Sequence, residues 1–275
     1  RQLQQKKKFE AERLKREQKR AMNAFQAQFS KELAKNVEPQ IQKLNSDLAS
    51  ASTSADVVAA LDSSGLMNAP TQGLNLMGPD TARSIGQAYS DICSKFPFLV
   101  GNIGRANCSR LGSSTYGQCS MSRGAIDFNT KYYGRGNEAS FAASFSNCIS
   151  TQFHPQGVMS KGAAYAVASH ELGHAIEGRL EKLMKAAGVD TTEKRKKRYF
   201  ISGRVKDKVL SNLSLVDDRS VIRAELSEYA AMDSAEFFAE AVSEYLCSRS
   251  PRPVAAEVGK ILERFLKNDF SDLGI

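Results

Sequence analysis

Residues 168–178 read ASHELGHAIEG and hold two of the three histidines in the chain. His170 and His174 stand four apart, with Glu171 directly after the first. On a helix, positions i and i+4 share a face, with Cβ atoms about 5–6 Å apart. Two imidazoles so placed can converge on one zinc ion at the usual Zn–N distance of about 2.0–2.1 Å. Glu171 projects about 100° further round the helix, so it addresses a water on the metal rather than the metal itself, as a general base does. The competing reading is an ordinary buried helix that happens to carry polar residues. Two features weigh against it. Ala163, Ala164, Val167, Leu172, Ala175 and Ile176 bury the helix, and a buried imidazole without a partner is costly. Gly173 sits mid-helix at a cost of about 1 kcal/mol relative to Ala, which close approach of a strand or substrate would explain.

A catalytic zinc site takes a third protein ligand and keeps one position for water. The segment DSAEFFAEAVSEYL, residues 233–246, repeats Glu236, Glu240 and Glu244 every four positions among apolar neighbours. Like charges at that spacing repel unless a cation faces them, and a zinc ion held by two imidazoles is such a cation. The segment also reads another way: Asp233 and Glu236 as a capping-box pair, with Glu240 and Glu244 as a solvated face. The sequence leaves both open. The third histidine, His154 in FHPQG, reads as a turn residue or a contact at the rim.

Around this centre the chain reads as α+β. The 275 residues suffice for one large domain or two small ones. The chain begins at Arg1 and is expected to be a fragment of something longer. Residues 1–50 form a basic helical arm broken or kinked at Pro39, which reads first as a solvated, partly frayed arm and otherwise, through Met22, Phe25, Phe29 and Leu33, as a narrow stripe suited to a partner helix or particle component. Residues 51–78 are a linker with a short helix, and residues 79–275 the main domain. There a helix follows Pro79, and the β candidates are FPFLV, TYGQCSM and the alternating GAIDFNT. Helices are expected over EASFAASFSNCI, over about 160–187 and 234–247, and after Pro253.

The formal charge is +8, but residues 1–20 carry nine Lys/Arg against three Glu, a net +6, leaving +2 for the rest. The basic character therefore belongs to the arm. Nucleic acid is an unlikely partner, because acids intersperse the arm and TEKRKKR lacks interleaved aromatics. No apolar run approaches the roughly 18–20 residues of a membrane span. Five cysteines without a CxxC pair suggest reduced thiols, and with them a reducing intracellular location.

HELGHAIE followed by SEYAAMDSAEFFAEAVSEYL resembles the catalytic domain of anthrax lethal factor and its relatives. Similar zincin domains occur in phage minor head proteins and bacterial toxin modules; FNTKYYG and FHPQGVMSKG look like the phage versions. The resemblance spans roughly residue 79 to the end and implies a zincin-like metallopeptidase domain, a small mixed sheet with active-site helices. It implies one zinc ion bound by His170, His174 and Glu236, with Glu171 activating water. Tyr229, seven positions before Glu236, would steady the tetrahedral intermediate, and Glu240 would support a ligand or serve as the fallback third one. The activity implied is zinc-dependent hydrolysis of a peptide or protein substrate, with GAIDFNT as the strand edge that receives it. The alternative is a virion-assembly or toxin-associated protein whose zinc is mainly structural. The 62-residue gap from His174 to Glu236 is longer than the family leads one to expect.

Overall fold

A computed structural model describes residues 2–193 and 198–274. Four helices come first: α1 (Gln2–Leu33), α2 (Glu38–Ser50), α3 (Ser54–Ser63) and α4 (Pro79–Lys95). Strands β1 (Ala106–Ser109), β2 (Gly117–Ser120) and β3 (Ala125–Asn129) follow, then α5 (Thr130–Tyr133) and α6 (Glu138–Ser150). The remainder is α7 (Ala163–Ala186), α8 (Phe200–Asn212), α9 (Arg219–Glu225), α10 (Ser234–Cys247) and α11 (Pro253–Leu266). The architecture is α+β, helix-rich with one small sheet. The basic segment TEKRKKR lies largely outside the described residues.

Prolines set several boundaries for the reason proline always does: it lacks an N–H and tolerates only the first helical turn. Pro39 opens α2 rather than kinking one long helix, and Pro79 and Pro253 stand at the starts of α4 and α11. FPFLV departs from expectation. Pro97–Leu99 is a single 3₁₀ turn that drops Phe98 and Leu99 into the core. A strand appears instead at ANCS, a polar stretch whose Ala106 and Cys108 alternate inward.

The sheet order is β1-β3-β2, with β3 parallel to β1 and antiparallel to β2. GAIDFNT is therefore the central strand, hydrogen bonded on both sides, and cannot receive an added strand. The outer side of β1 is covered: Gln72 bridges Asn107, and the Cys108 N–H donates to the Gln72 carbonyl at 2.8 Å. Among the described residues that leaves β2 as the open edge, and β2 lies along α7.

Helices α7 and α10 form the centre of the core. Gly173 is where they touch: a Cβ there would stand 3.0 Å from Ala239 Cα. A helix, not a strand or substrate, accounts for this glycine. One turn on, Gly178 lets the turn after β2 rest on α7, since a Cβ would overlap the Met121 carbonyl.

The apolar stripe of α1 is spent within the chain. Met22, Phe25 and Phe29 are buried, with Phe25 4.7 Å from Phe270 and Phe29 5.1 Å from Phe98 between ring centroids. Leu3, Phe9 and Leu14, in the first half of the helix, stay exposed. Truncating Phe29 to Ala should therefore cost about 3–5 kcal/mol, the range for a buried aromatic. Urea unfolding checks this; a loss under about 1 kcal/mol would mean that α1 is not docked.

Candidate metal centre

The α10 helix begins with Asp233, whose side chain accepts the Glu236 backbone N–H at 2.9 Å. The reciprocal half of a capping box is not made. Glu236 instead turns its carboxylate toward α7, with Oε2 3.1 Å from His170 Nε2 and 3.4 Å from His174 Nε2. One ligand atom from each of the three lies within 4.8 Å of the other two. Glu236 Oε2 is nonetheless buried without an aligned hydrogen-bond donor. Lone-pair donors that crowd together without pairing are suited to share a cation. Two imidazoles and a carboxylate are a donor set that fits zinc.

The other two glutamates of the repeat have different fates. Glu240 lies behind His170, with Oε1 2.8 Å from Nδ1, the nitrogen facing away from Glu236. A carboxylate there holds the ring's orientation and raises its basicity. Glu244 points to the far side and pairs with Arg252 at 2.7 Å. The expected solvated face does not exist: Glu240 and Glu244 are both buried.

His154 does lie in the bend after α6 and does line the cavity beside the centre, but its side chain is more than a turn or rim contact. It is buried, its Nδ1 lies 3.1 and 3.3 Å from the two Glu240 oxygens, and its ring stacks on Phe145. Ser227 donates to Glu240 Oε2 at 2.8 Å, so this carboxylate is gripped from three directions. Sequence reasoning missed both, because no periodicity links residues 154 or 227 to 240. The link is tertiary: the N–H groups of Glu228 and Tyr229 donate to the carbonyls of Gln152 and Phe153, which lays the two loops side by side.

Glu171 is buried and receives the backbone N–H of Cys119 on β2. Burial raises its pKa, opposed in part by His170 and His174. The Tyr229 hydroxyl donates to Glu236 Oε1 at 3.3 Å, and burial pushes its pKa up, so it stays protonated. A cavity of about 550 Å³ opens beside these groups, lined by Tyr116, Tyr132, Phe145, Phe153, Val158 and Val167.

Glu177, the last letter of HELGHAIE, is a further carboxylate that the sequence reading passed over. It is fully buried one turn beyond His174, with Oε1 accepting the Ser202 N–H at 2.8 Å and Oε2 unsatisfied. Burial raises its pKa to about 7.

No protein-family model, curated protein or solved structure matches this chain.

Two pH effects are expected. Burial lowers the His170 pKa, but the short-range attraction of Glu236 and Glu240 outweighs it and raises the pKa well above the ordinary value. The same contacts overcome burial at Glu236 and hold it low, and His154 and His170 together hold Glu240 at about 2. A metal must displace the His170 proton, so apparent zinc affinity should rise by up to about tenfold per unit between about pH 6 and pH 8. Chelator competition measures this; a flat profile would show that His170 is not a ligand. Glu177 contributes through folding. Its folded pKa of about 7 exceeds the ordinary 4.5, so the folded state holds a proton that the unfolded chain has released. Its stabilisation is complete at low pH and is lost as pH rises through about 7, up to about 3 kcal/mol in all. Replacing Glu177 with Gln should remove that slope, read by denaturant unfolding at about pH 5 and pH 8.

Proposed function

We propose that this chain is a zinc-dependent endopeptidase with a zincin-like catalytic domain, of the kind found in anthrax lethal factor and in phage head proteins. The observation that carries the reading is the meeting of His170, His174 and Glu236 around one point, with a buried carboxylate, Glu171, on the adjoining helical position. When bound, zinc supplies Lewis acidity toward a carbonyl and a lowered pKa for water.

The protein's own groups divide the remaining work. Glu171 takes the proton of the attacking water and passes it to the leaving amine. Its burial favours that exchange, since a raised pKa brings the acid nearer to working pH. Tyr229 keeps its proton and donates where negative charge develops. Glu240, held by His154 and Ser227, fixes the plane of the His170 ring. The open edge of β2 runs along α7 and suits pairing with an extended peptide, whose side chain would enter the aromatic-lined cavity.

A second reading makes the zinc structural and the chain an assembly component. Leu3 and Leu14, exposed on one face of basic α1, favour it, because they offer apolar contacts to a partner. It leaves the buried base and the protonated tyrosine without purpose.

Unfolded protein substrates should be cleaved by the native chain and not after chelation. Glu171→Gln should keep its zinc and lose at least about 10²-fold in rate. Tyr229→Phe should lose about 10²-fold in kcat with KM little changed. Metal content by mass spectrometry accompanies the kinetics. Full activity in Glu171→Gln, or no chelator-sensitive cleavage by the native chain, would favour the structural zinc.

A further inference from the structure

Further along α7, beyond Glu171 and against the β2 hairpin, lies a second cavity of about 330 Å³. Ala175, Gly178, Arg179 and Lys182 of α7 form one wall, and the turn after β2 and the loop before β1 form the other. Its charged lining residues are Arg105, Arg123, Arg179 and Lys182, with no carboxylate among them. Four cations around one concavity repel one another, and in ordinary surfaces interspersed acids relieve this.

Such relief is scarce here. Among the described residues no carboxylate pairs with Arg105, Arg123 or Lys182. Arg105 reaches only the side-chain oxygen of Gln72, and Arg123 only the hydroxyl of Ser120, both at 3.3 Å. Arg179 has Glu32 of α1 at 3.4 Å, but Glu32 is shared with Lys35 at 2.5 Å and Asn102 at 3.4 Å. The Nε–H of Arg179 is buried with no acceptor at all. With Glu32 divided among three donors, the Arg179 guanidinium keeps N–H capacity that an anion at its terminal nitrogens would use.

We propose that this cavity is a binding site for a small molecule carrying two or three linked phosphate groups. The volume holds such a chain, and the four cations match the three to four negative charges it carries near neutral pH. Arginine's planar fork suits phosphate oxygens in pairs. Because the turn after β2 also supplies a wall, a bound polyphosphate would tie that turn to α7. The inference does not rest on the metal reading.

The test is calorimetric titration of the full chain with sodium triphosphate at fixed ionic strength, beside the double variant Arg105→Gln/Arg123→Gln. Both side chains are exposed, so the variant should melt where the native chain does. The native chain should bind with Kd below about 100 µM, and the variant at least about tenfold more weakly. Any heat from metal sequestration by the probe is common to both and cancels. No saturable binding up to about 1 mM would overturn the proposal, and so would equal affinity in the two proteins. Tighter binding of a single-stranded oligonucleotide through the same arginines would also overturn it, in favour of a nucleic-acid surface.

Discussion

The contact between Gly173 and Ala239 governs the geometry of the whole centre. His170 and His174 lie to either side of Gly173 on α7, and Glu236 and Glu240 lie to either side of Ala239 on α10. The backbone separation at that one crossing therefore sets the distance from imidazole to carboxylate. Ser243 reinforces it by donating to the Ala166 carbonyl at 3.0 Å. A larger residue at either contact would part the helices and separate Nε2 from Oε2 by the same amount.

What the crossing assembles is expensive. Glu171, Glu177 and Glu240 are buried, and Glu236 is partly buried, around the chain's three histidines. Removing carboxylates from water costs several kcal/mol each unless charge and hydrogen bonds compensate. Glu240 is compensated by hydrogen bonds from His154 and Ser227 and by the nearby His170 ring, Glu171 by the β2 backbone and Glu177 in part by α8. Glu236 has one oxygen bonded to Tyr229 and the other, Oε2, facing two imidazoles without an aligned hydrogen bond, and a divalent ion is the compensation that this position invites. A fold that concentrates so much costly burial at one crossing departs there from what stability alone would favour.

The sheet, though small, reaches this centre in two ways. Strand β2 sends a backbone N–H to Glu171, and the turn that ends it rests on Gly178 one turn past the second histidine. The candidate base, the open strand edge and the cationic cavity are thus parts of one hairpin and one helix. Movement of that hairpin would be felt at all three.

Much of this was legible in the residues themselves wherever the signal is local. The spacing of His170 and His174 gives a shared helical face through the 3.6-residue period, and Ser234–Cys247 matches its helix to the residue because Asp233 caps it. Strands β2 and β3 fall within TYGQCSM and the alternating GAIDFNT, whereas β1 was missed because ANCS is polar and only four residues long. Whether Glu236 caps its helix or faces the histidines was open in one dimension, since both readings need an acid at the same place. Likewise, nothing local distinguishes His154 from a turn histidine, or marks Arg105, Arg123 and Arg179 as neighbours. Periodicity determines which residues share a face; only packing decides which faces meet, because that depends on contacts between segments far apart in the chain.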